Sequence, residues 1–279
     1  MNKINNPWSW IPTLYFAEGI PYFIGNTISV IMFTNMGMSK GDMAMYTSLL
    51  YLPWVIKPLW SPFVDIIRTK RWWVVAMQVI MSVAFALTAF SLPHPSAEVM
   101  ASGSTPVSLF ALTLVIFWIT AFASATHDIA ADGFYMLALD VRNQSLFVGI
   151  RSTFYRLSSI FGQGVLVVIA GMLEQRLSDV PKAWTMTLLA GSVMFALITL
   201  WHTFFLPRPD SDSARQTSSA SEIIKDFGRT FVTFFRKKGV LIAMLFMLLY
   251  RLPEAFLVKM MNPFLLDPAD KGGLGLTSQ

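Results

Sequence analysis

The sequence predicts an all-α, polytopic membrane protein, and three observations carry that prediction. Hydrophobic residues make up 54% of the 279 and charged ones only 13%, against about 25% charged in a typical soluble domain. The apolar residues gather into seven runs of about 20 residues or more, the length that crosses ~30 Å of hydrocarbon as a helix. Basic residues collect in alternate connections between those runs. The net charge of +5 therefore belongs to loops rather than to a nucleic-acid face, and the expected surroundings are the lipid bilayer, with no nucleic acid. With no cysteine, disulfides and thiolate metal sites are excluded. No metal-ligand spacing, phosphate loop or nucleophile with a placed base is present. No enzyme, catalytic residue, metal or cofactor is therefore expected.

The first run, residues 11–36, is entered through Trp8 and Trp10, read as interfacial anchors. It lacks a small-residue cleavage site and contains Pro12, Glu18 and Pro21, so it reads as a retained helix and not a signal peptide. The further runs cover 43–64, 72–92, 107–139, 146–173, 183–206 and 239–266. The fourth is longer than a bilayer requires, and its end beyond Asp128 is expected to protrude or bend.

Orientation follows from lysine and arginine. Arg68, Lys70 and Arg71 follow the second run, Arg142 to Arg151 follow the fourth, and seven basic residues from Arg208 to Lys238 follow the sixth. The alternate connections are poorer: 93–106 holds no basic residue, and the turn near Gly37 holds only Lys40. The N-terminus is therefore placed in the cytoplasm.

Three parts are expected: a six-helix bundle over 1–206, a cytoplasmic linker over 207–238, and a seventh helix within 239–279. The linker opens on a polar stretch from Arg208, read as flexible. Ser219 and Glu222 then have the spacing of a capping box. Behind them Ile223, Ile224, Phe227, Phe231, Phe234 and Phe235 recur at helical spacing opposite Lys225, Asp226, Arg229 and Arg236. That pattern predicts an amphipathic helix lying on the inner membrane face.

The stretch from Phe117 to Gly133 concentrates the polar chemistry. Asp128 and Asp132 stand at i and i+4, on one helix face, beside His127 and among small residues that permit close helix approach. Carboxylates inside or at the rim of a membrane helix are costly and usually face a bundle interior or a wet cavity. Glu18 lies eight to ten residues past Trp8 and Trp10, roughly 12–15 Å deep at about 1.5 Å per residue. It is read as a proton-coupling or substrate-binding group, or as half of a structural salt bridge. Lys57, at comparable depth in the second run, is its expected counter-ion. Arg156 and Arg151 of the fifth run are expected to meet Asp128 or Asp132. Asp65 is expected to pair with Arg68 or Arg71, and Glu254 with Arg251. Tyr15, Tyr22, Tyr51, Trp54 and Trp118 have the chemistry to stack on a sugar ring, although aromatic residues in such runs more often pack or line the interface.

Six spans, a long linker and a new span is also the layout of a major facilitator half followed by the start of a second half. The residues point the same way. Lys57-Pro-Leu-Trp-Ser-Pro-Phe-Val-Asp65 resembles the turn between helices two and three in the AmpG-type muropeptide permeases and the related acetyl-CoA transporter family. Ser61 and Thr69 replace that motif's usual glycines. Ala123-Ser-Ala-Thr-His-Asp128-Ile-Ala-Ala-Asp132 resembles the family's Ala-Ser-Gln-Asp-Ile pattern and its second aspartate, with His127 in place of glutamine. Tyr250-Arg-Leu-Pro-Glu254 resembles its opening of helix seven.

The resemblance implies a proton-coupled solute importer, a symporter, of the bacterial inner membrane, with small-molecule solute and protons as partners. The solute would be a cell-wall-derived muropeptide, or else a nucleotide-linked or acyl-carrier metabolite. A non-transporting membrane interaction protein is the alternative from another class. Glu18, Lys57, Asp128 and Glu254 would be the proton-coupling or substrate candidates. Asp65, Arg71, Asp132, Arg151 and Arg156 would form the gating and structural charge motif. Such permeases have about twelve spans, so the resemblance also implies a fragment lacking the C-terminal half of the same transporter.

Overall fold

The computed structural model describes residues 6–213, 220–247, 249–250 and 253. Among them no β-strand forms, only an isolated bridge between Met38 and Thr105. The chain divides into two units, 1–217 and 218–279.

In the first unit five helices are long and apolar enough to cross a membrane: α1 (Pro7–Asn35), α5 (Lys70–Ser91), α7 (Val107–Ala138), α8 (Val141–Leu177) and α9 (Val180–Phe205). They correspond to runs one, three, four, five and six. Their starts are marked by side chains that accept the first free backbone N–H groups. Asn6 caps α1, Thr69 caps α5, Asp140 caps α8 and Asp179 caps α9. α7 remains helical past Asp128 to Ala138 without a break.

The second run is not one helix. It is divided into α2 (Lys40–Leu49), α3 (Leu52–Ile56), a 3₁₀ turn at Lys57–Leu59 and α4 (Ser61–Ile66). Pro53, Pro58 and Pro62 fall at each restart; each lacks an N–H, and each biases the residue before it away from helix. The hydrophobic run is long enough to span, but its prolines divide the backbone. A short helix, α6 (Ala97–Ala101), lies in the connection to α7.

α1 packs on α8 and α7, and α5 packs on α7 and α9. One core cluster holds Phe33, Phe85, Phe110, Phe117, Trp184 and Phe195; the other holds Trp10, Leu14, Tyr15, Val74, Phe134 and Tyr135. Trp10 is therefore not an interfacial anchor. It is buried and meets Phe134 edge-on at 5.2 Å, whereas Trp8 is exposed. The outward face is apolar at helical spacing, with Val79, Val83 and Leu87 on α5 and Val193, Leu197 and Leu200 on α9 exposed. Such a face suits acyl chains, because every backbone polar group stays inside its own helix.

Two features fix how closely α1 and α8 approach. A Cβ on Gly19 would stand 1.9 Å from Ser158 Oγ and 3.3 Å from the Tyr155 carbonyl, so only glycine fits. Both helices also carry a π turn, Ile24–Ile28 in α1 just after Pro21 and Phe161–Leu166 in α8, and the two turns touch. Insertions of this kind bend a helix at a defined point.

At the end of the unit where α9 exits, residues beyond Leu206 are fastened rather than free. Asp212 accepts from the backbone N–H groups of Lys70 and Arg71 at 2.6 and 2.9 Å, and Ser211 donates to the Leu137 carbonyl at 2.9 Å. The polar stretch read as flexible is anchored this far because α5 presents unsatisfied N–H groups to it.

In the second unit α10 (Ala220–Arg236) is the amphipathic helix. Gly239, at φ +82°, ends the turn that follows, and residues 240–247 are helical again. Ser219 of the expected cap lies outside the described residues, as does most of the seventh span.

Candidate functional site

The charged residues converge where α1, α7, α8 and the broken second run meet. α7 projects Asp128 and Asp132 one turn apart, α1 brings Tyr15 and Glu18, and α8 brings Arg151, Ser152 and Tyr155. Tyr15, Glu18, Asp128, Arg151, Ser152 and Tyr155 line a cavity of about 330 Å³.

The pairing differs from the one expected. Lys57 forms an ion pair with Asp128 and not with Glu18, because the 3₁₀ turn carrying it lies against α7. Arg151 takes Asp132 at 2.5 Å, and Tyr15 donates its hydroxyl to the same carboxylate at 3.2 Å. The Arg151 guanidinium lies 4.5 Å from the Tyr15 ring centre and 5.1 Å from that of Tyr135, within cation–π range. Arg156, five residues further along α8, points away: it is exposed and makes no ion pair among the described residues.

Glu18 is left as the odd carboxylate. It is 8% exposed, and its Oε2 has no hydrogen-bond partner among the described residues. Three carboxylates thus share two cations, each cation already engaged. An ion held without a partner in such a place is expensive, whereas the protonated acid is not.

Beside the cavity stands an aromatic group. Tyr22 meets Trp54 at 5.3 Å and Tyr51 at 6.1 Å, and Phe23 meets Tyr155 at 5.8 Å. Tyr22, Tyr51 and Trp54 are thus brought together. Trp118 is elsewhere, stacked on Phe122 at 5.7 Å in an apolar groove with Trp73, Met77, Val115 and Ile119.

The remaining charge motif is built differently from expectation. Asp65 pairs with Lys70, not Arg68 or Arg71, and the Lys70 stem passes over Gly133, where a Cβ would be 2.9 Å from its Cε. Arg71 instead donates to the carbonyls of Thr203 (2.6 Å) and Leu206 (3.2 Å), satisfying the C-terminus of α9. Glu254 and Arg251 lie outside the described residues.

A second polar group, of which the sequence singled out only His127, runs through the core. Thr13 Oγ1 is 2.9 Å from His202 Nε2, His202 Nδ1 is 3.0 Å from Gln78 Oε1, and Gln78 Nε2 donates to His127 Nε2 at 2.9 Å. Gln78, His127 and His202 are fully buried. For Gln78 and His202 the only signal was a polar residue alone in an apolar run, and nothing in their spacing links them.

Comparison with known proteins agrees with the geometry. The chain is 25% identical over 276 residues to an anhydromuropeptide permease of Escherichia coli K12, covering 95% of this chain and 50% of the relative. It is 23% identical over 256 residues to the putative transporter AmpG 4 of Rickettsia felis, covering 85% of this chain and 56% of that one. The chain spans about half the length of these curated relatives. A profile of the BT1 family matches residues 18–259, from the buried glutamate of α1 into the second unit, and this multi-pass membrane chain belongs to that family.

Proposed function

We propose that the chain forms one wall of a proton-coupled importer of the major facilitator type, in the inner membrane, for sugar-linked peptides of the muropeptide class. The observation that carries this reading is the cavity in which Glu18, Asp128 and Arg151 meet, with ion pairs to Lys57 and Asp132 on either side. One structural pair, Arg151 with Asp132, does not explain a further carboxylate and a second ion pair amid apolar spans, since each ionisable group is costly there. Arg151 and Lys57 suit the carboxylates of a peptide, and Tyr22, Tyr51 and Trp54 offer ring faces to a sugar. The anhydromuropeptide permease among its relatives supports the solute class. A second bundle would supply the opposing wall, so residues 1–279 by themselves would have nothing to rock against.

Uptake tests this reading. Cells without a route of their own for anhydromuropeptides, given the gene's whole product, should accumulate the labelled solute, and a protonophore should collapse the accumulation. Uptake equal to that of vector-bearing cells overturns the reading.

A further inference from the structure

Lys57 occupies an unusual place in the backbone. Between α2 and α4 the backbone bonds outside the short helix α3 are turn bonds of 3.2–3.3 Å, from Leu50 N to Tyr46 O, Tyr51 N to Ser48 O, Trp54 N to Tyr51 O and Trp60 N to Lys57 O. Pro53, Pro58 and Pro62 contribute no N–H at all. Such a segment resists displacement less than a continuous helix does. Its flanks are pinned: Trp54 and Tyr51 rest on Tyr22, and Trp60 donates its indole N–H to Thr126 at 3.2 Å and lies against Phe122. Between the pins, the strong contact to the long helices is the Lys57–Asp128 ion pair.

Asp128, the partner of that ammonium, lines the same cavity as a second carboxylate, Glu18. The acidic groups acting on Lys57 are Asp128, Asp132 and Glu18. Asp132 is already engaged by Arg151 and Tyr15, whereas Glu18 forms no ion pair among the described residues. The groups facing Glu18 are Asp128 and Asp132 from α7, Arg151 and Tyr155 from α8, Tyr15 from its own helix and Lys57 from the broken segment.

We propose that Lys57 is a shared counter-ion, seated on Asp128 while Glu18 holds its proton and drawn between the two carboxylates when Glu18 gives it up. The O–H bond of Glu18 breaks, the proton passes to water in the cavity, and two carboxylates then compete for one ammonium. Because Lys57 rides on the turn between the two pins, residues 55–59 move with it. The proton is thereby converted into a displacement of the second span. Lys57 acts here as a positioning residue, and the idea rests on the proton-coupled reading above.

The absence of native cysteine allows a direct test. Nitroxide labels are placed on the full chain at Val55→Cys and Leu87→Cys, both exposed, and their distance distribution is read at pH 5 and pH 8 in liposomes. The distance peak should shift between the two pH values. Glu18→Gln should hold the pH 5 distribution throughout, and Lys57→Gln should abolish the shift while Lys57→Arg keeps it. A label pair on α5 and α9, Leu87→Cys with Leu197→Cys, should not move. A shift that survives Glu18→Gln, or no shift in the parent chain, overturns the proposal. Should Glu18→Gln fail to fold, the Lys57→Gln and Lys57→Arg pair decides the same question. No solute or gradient is involved, so failure here and failure of the uptake experiment are separate results.

Discussion

Gln78 Nε2 donates to His127 Nε2 across 2.9 Å, joining α5 to α7 where both side chains are fully buried. With the amide donating, the ring proton of His127 sits on Nδ1, a buried atom without a partner among the described residues. The other end of the amide accepts from His202 of α9. One glutamine thus serves two imidazoles on two helices.

Gln78→Leu removes both bonds at once and leaves each imidazole short of a partner. Orphaned buried polar groups cost about 1–3 kcal/mol apiece. A fall in thermal midpoint clearly larger than that of Ser91→Ala, at the edge of the same helix, is expected from dye-monitored unfolding in detergent. An unchanged midpoint would show the network to be energetically idle.

Gly19→Ala drives a methyl into Ser158 and the backbone of Tyr155. Ser158 Oγ at 1.9 Å and Cβ at 3.0 Å must give way, by rotation of Ser158 or a shift of α1 against α8, and folded yield should fall by size-exclusion chromatography. Ser158→Gly should recover part of it. Wild-type yield for Gly19→Ala alone would refute the close approach.

The two ends of the first unit are expected on opposite sides of the membrane. Thr105 donates to the Gly37 carbonyl at one end, while Asp212 caps α5 at the other. Ser102→Cys should react with an impermeant thiol reagent in intact cells, and Ser213→Cys only after lysis. Labelling of Ser213→Cys in intact cells would invert the topology.

Glu18 and Asp132 should separate by phenotype in the gene's whole product. Glu18→Gln keeps the shape of a carboxylic acid but cannot exchange its proton, so folding should persist while proton-driven accumulation is lost. Asp132→Asn breaks the bond to Arg151, a half-exposed pair worth about 1 kcal/mol once solvent screening is allowed for, and should chiefly lower folded yield. Full accumulation by Glu18→Gln would leave Asp128 as the better proton carrier.

The sequence by itself determined the class, five of the spans to within a few residues, and the amphipathic helix α10. Hydrophobic run length and 3.6-residue periodicity are local properties, and a bilayer leaves few other ways to satisfy them. It also singled out Glu18, Lys57, Asp128, Asp132 and Arg151, because an ionisable group in an apolar run is conspicuous before any fold is known. Only the tertiary structure decided the partners. Lys57 and Glu18 read as comparably deep from the sequence, yet the proline-broken second run turns Lys57 toward Asp128. Lys70 reaches Asp65 by crossing Gly133, and this frees Arg71 to close the end of α9. Gln78 and His202 are 124 residues apart in sequence, and no periodicity records that α5 and α9 will pack. Depth can be read along one helix, but pairing depends on how neighbouring helices are rotated and how closely they approach, and contacts such as Gly19 on Ser158 set both.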